Sequence, residues 1–156
     1  MGKINYGRVV LGGVVGGIVA FLLDVFGNGF LLIQQWTEAN KSLNRTNGNL
    51  PVLLVGMFLV WIVAGALMVW VYASIRPRFG AGLRTAVYAG LVPWIFGSVL
   101  PDTINAAGGL YSPRFMFYLT LFEIVPMVAC AVVGAWLYKE AESTAAYPAA
   151  VPQATR

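Results

Sequence analysis

Four apolar runs alternate with short polar stretches along this chain. They extend from about Arg8 to Leu32, from Leu50 to Ser74, from Arg84 to about Leu100 and from Arg114 to Tyr138. A helix needs about 20 apolar residues to cross the hydrocarbon layer of a bilayer. The pattern therefore predicts an all-α membrane protein, a four-transmembrane-helix bundle with spans at about 8–32, 50–74, 84–100 and 114–138. Asn49 offers an N-cap to the second span, and Pro51 falls in its first turn, where no N–H is required. Ser112-Pro113 starts the fourth span in the same way. Pro101 is expected to stop or bend the third. Residues 1–140 form one transmembrane domain on this reading. The remainder, AESTAAYPAAVPQATR, has no apolar period and reads as a disordered C-terminal tail, 141–156.

The first run is too long for the apolar core of a signal peptide. No small-x-small cleavage site precedes a polar start either, so it is expected to remain as a membrane helix.

Composition supports the membrane reading. Hydrophobic residues make up 59% of the 156 and charged residues only 10%, against about 25% charged in an average soluble domain. The net charge of +4 forms no basic stripe, which argues against a nucleic-acid partner and leaves the lipid bilayer as the first one. The placement of the charges reads as topology. Lys3, Arg8, Arg76, Arg78, Arg84, Lys139 and Arg156 fall on one side, and Lys41, Arg45 and Arg114 on the other, seven against three. Both termini are then cytoplasmic, with the stretch SIRPRFGAGLR and its Arg76, Arg78 and Arg84 as the strongest topology-setting loop. Tyr6, Trp36, Tyr72, Tyr111 and Tyr138 lie near span ends, where interface anchors are found. A bacterial inner membrane is the expected location.

Two absences narrow the chemistry. There is no histidine, and Cys130 is the single cysteine, set in an apolar run. Haem or zinc on histidine, a disulfide within the chain and a C-x-x-C redox pair are excluded. No cofactor and no metal site are expected, and Cys130 reads as a packing residue. Asn40-Lys41-Ser42 and Asn44-Arg45-Thr46 match the glycosylation sequon, which matters only in a host that glycosylates.

The two halves have parallel features. Each opens on an arginine (Arg8, Arg84) and places an aspartate and then an asparagine near the far end (Asp24 with Asn28, Asp102 with Asn105). Each second helix starts beside a proline, Pro51 or Pro113. Two origins fit, a duplicated helical hairpin or the chance similarity of apolar helices.

Asp24 stands within LLDVFGNGFLL. At 100° per residue it shares a face with Gly13, Gly17, Asn28 and Gln35. Small residues mark helix contacts in lipid, so Gly13 and Gly17 are predicted packing positions and Asp24 is turned inward. On the fourth span Glu123 aligns with Met116, Met127, Cys130 and Gly134, with Thr120 to one side. Pro93 and Pro126 interrupt their helices and are candidate hinges; Pro126 frees the Phe122 carbonyl beside Glu123. The second span has no ionisable group and reads as scaffold. These placements predict a polar pocket of Asp24, Thr120 and Glu123, with Asn28 and Asp102 above it and Asp102 within reach of Arg114.

A charged carboxylate at the bilayer centre costs ~2.5–3.5 kcal/mol on the insertion scale. Two without a basic partner cannot both ionise easily, so at least one proton is expected to stay in the site. That suits a proton- or cation-binding site, and equally a neutral acid that only holds helices together. Three functional classes fit. One is an accessory or structural subunit of a larger membrane complex, without catalytic activity. Another is a small proton- or cation-coupled transporter, acting as a homodimer because four helices enclose little volume. The third is a membrane enzyme with an Asp24/Asp102 dyad, which the missing G-x-G-D signature and the difference in depth disfavour. No catalytic residue is assigned.

Overall fold

The structure is a computed structural model that describes residues 3–45 and 48–140. The tail at 141–156 and the sequon residue Thr46 lie outside the described residues. Helix α1 spans Tyr6–Phe26 and runs on through a π-helical segment, Gly27–Leu31. A short α2, Ile33–Ser42, comes next. Helix α3 covers Leu50–Phe79. Helix α4, Leu83–Trp94, continues through a second π segment, Ile95–Val99, into α5, Leu100–Ala107. Helix α6, Pro113–Leu137, is the last. Four of these units are long and apolar enough to cross a membrane: Tyr6–Leu31, Leu50–Phe79, Leu83–Ala107 and Pro113–Leu137. The protein is an all-α membrane protein, a bundle of four spanning helices.

Local chemistry sets the helix starts. The side chains of Asn5, Asn49 and Ser112 accept hydrogen bonds from the N–H groups of Arg8, Val52 and Phe115 at 3.2–3.3 Å. Each satisfies one of the donors that a first turn leaves without a partner.

Three boundaries differ from the sequence expectation. Pro101 does not stop the third span. The wider turns at Ile95–Val99 place it in the first turn of α5, where its missing N–H is tolerated, and the helix continues to Ala107. The arginine stretch is not mainly a loop. Helix α3 carries Arg76, Pro77 and Arg78 in its last turns and ends at Gly80, whose φ of 83° suits glycine. The polar stretch after the first span folds as α2, whose ten residues are too short and too polar to stand out in a hydrophobicity reading.

In the bundle, α1 packs against α3 and α6, and α4 packs against α6 and α3. The pair α3 and α6 touch between them, which leaves α1 and α4 at opposite corners. The outer surface is apolar. Val52, Val60, Val63 and Leu67 of α3 and Phe117 and Trp136 of α6 are exposed, as lipid-facing residues are. Only 22% of the most apolar window of α3 is buried inside the protein. The interior holds Met68, Val69, Cys130 and Ala131 at its centre.

The four glycines of GGVVGG divide between two neighbours. A Cβ on Gly13 or Gly17 would run into the α3 backbone at Ala66 and Trp61. A Cβ on Gly12 would stand 2.6 Å from the Gly134 carbonyl oxygen, and one on Gly16 2.5 Å from that of Cys130, both on α6. Helix α1 is thus wedged between α3 and α6 with backbones in contact. Two of the predicted interface anchors turn inward instead. Tyr72 and Tyr138 are buried, and their hydroxyls accept from the N–H groups of Gly82 and Asn5 at 3.2 and 3.3 Å, pinning the α3–α4 connection and the start of α1 to the bundle.

Candidate functional site: a carboxylate cleft beside two π segments

Beyond the glycine contacts the helices separate, and a cleft of about 340 Å³ opens between them. Asp24, Trp61, Ser98, Asp102 and Glu123 line it, with Met57 and Met127 as apolar wall. Val60, mostly exposed, forms part of the rim, so the cleft reaches the outer surface of the bundle.

Asp24 is buried at 5% exposure and both of its carboxylate oxygens are engaged. Trp61 Nε1 donates to Oδ2 at 2.8 Å, and Asn28 Nδ2 donates to Oδ1 at 2.6 Å. Asn28 is in turn fixed from α2, because Trp36 Nε1 donates to its Oδ1 at 2.8 Å. A continuous chain of hydrogen bonds therefore runs from Trp36 through Asn28 to Asp24 and Trp61.

Glu123 reaches the cleft from α6 and lines it together with Asp24. Asp102 stands at the cleft from α5, and Thr120 Oγ1 donates to its Oδ2 at 2.6 Å. The Thr120 carbonyl accepts from Trp94 Nε1 at 2.8 Å, which ties α4 to α6. Among the described residues no arginine or lysine lines the cleft.

The backbone explains how these groups meet. Both π segments lie close to a cleft aspartate: Gly27–Leu31 begins three residues after Asp24 and carries Asn28, and Ile95–Val99 carries Ser98 and ends three residues before Asp102. A π turn adds a residue per turn and rotates the helix beyond it, and such turns recur at functional sites. Gly27 also gives room to the Phe122 ring, which a Cβ there would strike.

The structure thus brings Asp24 and Glu123 together, with Asn28 on Asp24 and Thr120 on Asp102. It does not pair Asp102 with Arg114, whose guanidinium lies 5.7 Å from the Tyr118 ring centroid instead. Helix α3 is not mere scaffold: its Trp61 supplies the donor to Asp24. The signal was present in the spacing. Gly65 marks the α3 face that meets α1, and Trp61, four residues earlier, shares it. Ser98 was also missed. Pro126 is buried within α6, and Pro93 lies just before the second π segment. Among the described residues no group of His, Cys, Asp and Glu side chains is arranged to hold a metal ion.

The chain matches no protein-family model, no curated protein and no solved structure.

Proposed function

We propose that this chain is a small proton- or cation-coupled carrier, with Asp24 and Glu123 as the groups that exchange a proton for a cation. The observation that carries the reading is the presence of these two carboxyls in one cleft that is lined by no described basic residue and reaches the surface of the bundle. Two carboxyls in one cleft without a basic partner favour holding a proton between them, and exchange of that proton for a cation changes the charge of the cleft little. Asp102 adds negative potential at the same cleft, and the apolar rim suits entry from the membrane. The carrier works as a homodimer in a bacterial inner membrane, a second copy covering the open side. Both termini are cytoplasmic, in keeping with the arginines gathered at the end of α3 and the start of α4.

A second reading, an accessory subunit without transport or catalytic activity, is favoured by one observation. Both Asp24 oxygens are occupied by donors of the protein itself, as in a residue that only joins helices.

Proteoliposomes under an imposed pH gradient separate the two. A carrier dissipates the gradient when mono- or organic cations are added, and Glu123→Gln and Asp24→Asn abolish the response while remaining folded and monodisperse. An accessory subunit gives no cation-dependent flux. It co-purifies from native membranes with a stoichiometric partner, which Asp24→Asn loses.

A further inference from the structure

At the end of the bundle remote from Arg76, α2 and the first turns of α6 leave a second groove, of about 390 Å³. Gln35, Glu38 and Ser42 line it from α2, and Arg114, Phe115 and Tyr118 from α6. The Trp36 ring spans the gap below, with its centroid 4.9 Å from that of Phe115 and 6.1 Å from that of Tyr111, edge to face. The two helices are thus propped apart by aromatic packing.

The walls carry opposite charges that do not neutralise each other. The one ion pair among the described residues joins Arg76 to Glu140, so Glu38 and Arg114 face the same groove unpaired. The α2 wall is rich in acceptors. Besides the Glu38 carboxylate it has Gln35 Oε1, a buried oxygen with no hydrogen-bond partner, the kind of group that native structures rarely leave unmet. The α6 wall presents the Arg114 guanidinium beside the Tyr118 ring.

Position adds a further constraint. Helix α6 has 25 residues, about 37 Å at 1.5 Å per residue, against ~30 Å of hydrocarbon. Centred on that layer, the helix would bring its first turn to headgroup level, near Trp36, Tyr111 and Tyr118, the residue types of a membrane interface.

We propose that this groove binds a zwitterion, with a primary ammonium held by Glu38 and Gln35 Oε1 and a phosphate or carboxylate held by Arg114. A primary ammonium brings N–H donors for both acceptors, whereas a quaternary ammonium brings none. Arginine matches the oxygens of a phosphate or carboxylate. The ligand is either the phosphoethanolamine headgroup of a bilayer lipid or a soluble zwitterion of the same chemistry. This site is separate from the carboxylate cleft and stands whether or not the chain is a carrier.

The test is thermal unfolding of the full chain in nanodiscs of phosphatidylcholine alone, or with phosphatidylethanolamine or phosphatidylglycerol added. A parallel series in detergent receives soluble phosphoethanolamine. Phosphatidylethanolamine is expected to raise the midpoint by several degrees over the other two lipids. Glu38→Gln and Arg114→Gln, each exposed and each checked for unchanged helicity, remove the rise. A matching rise with soluble phosphoethanolamine assigns the site to a free zwitterion, and a rise with the lipid alone assigns it to the headgroup. Equal midpoints in all three lipids with no response to the soluble compound overturn the proposal. So does an equal rise with phosphatidylglycerol, which would mark a simple anion site, or a phosphatidylethanolamine effect that survives both substitutions.

Discussion

Between Gly12 and Gly17, α1 meets its neighbours backbone to backbone; from Asp24 to Leu31 the same helix is joined to them by side chains across a cleft. The first region is regular α-helix, with small residues as its contact surface. The second has a π segment, a buried carboxylate and a chain of hydrogen bonds. Lipid offers little hydrophobic force between helices, so close backbone contact and polar bonds are the two remaining ways to hold them together. The glycines fix where α1 sits. Once it is fixed, the far end can tolerate open space and unneutralised acid, which a loosely held helix could not support.

The largest effect is expected at the glycines. In Gly17→Ala the new methyl strikes the α3 backbone at Trp61, and backbone cannot move aside as a side chain tip can. A loss of about 3 kcal/mol or more is expected, the upper range for overpacked cores. Gly29→Ala and Gly56→Ala, with nothing within 4 Å of the added atom, should change stability by no more than ~1 kcal/mol, in the stabilising direction set by helix propensity. Unfolding in mixed SDS micelles measures all three. If Gly17→Ala falls in line with Gly29→Ala, the close-contact account of this half is wrong.

The cleft should give intermediate effects with a different signature. Trp61→Phe keeps most of the ring and removes the donor to Asp24, for an expected loss of ~1–3 kcal/mol. The informative quantity is the coupling with Asp24→Ala. Two groups in one hydrogen-bond network should show an interaction energy of at least ~0.5 kcal/mol in a double-mutant cycle. Strict additivity would mean that the Trp61–Asp24 bond contributes nothing to holding α3 against α1.

These two regions also differ in how far the sequence discloses them. The contact face of α1 is a matter of arithmetic, because glycines at helical spacing in an apolar run leave few other uses. The depth of Asp24 and Glu123 comes from their distance to Arg8 and Arg114 at 1.5 Å per residue. The cleft is harder to read because its geometry depends on i to i+5 hydrogen bonds, such as Leu32 N–H to the Gly27 carbonyl at 2.9 Å, which no residue pattern specifies. Spacing from Gly65 places Trp61 on the contact face of α3, but its polar role is hidden for a related reason. Tryptophan in an apolar run counts as hydrophobic, and its single polar atom matters only once the register of α3 against α1 is known. Helix α2 lies too far from either apolar periodicity or turn chemistry to declare itself, although Asn28 and Trp36 fasten it to the cleft.

That fastening predicts a smaller and more local effect. Asn28→Ala breaks the link between Trp36 and Asp24 and should lower global stability by only ~1 kcal/mol. Amide exchange resolves the difference by region. Exchange should quicken across Ile33–Ser42 and remain unchanged across the glycine-packed part of α1, because local opening need not involve the whole bundle. Equal acceleration in both would show that the two halves open as one unit.

The smallest effect belongs to the arginine end. Arg76 Nη1 lies 3.3 Å from Glu140 Oε1, and the guanidinium lies 5.8 Å from the Tyr138 ring centroid. The ion pair lacks aligned hydrogen-bond geometry, and Glu140 remains partly exposed. Such pairs contribute at most ~1 kcal/mol and weaken with salt. Arg76→Gln should therefore lower stability by less than ~1 kcal/mol, and less again in high salt. Tyr138→Phe, which removes the acceptor for the Asn5 N–H, should cost about as much without a salt dependence. If Arg76→Gln proved as damaging as Gly17→Ala, the ion pair and not the backbone contact would be what anchors this end, and the contrast between the two halves would have to be redrawn around charge.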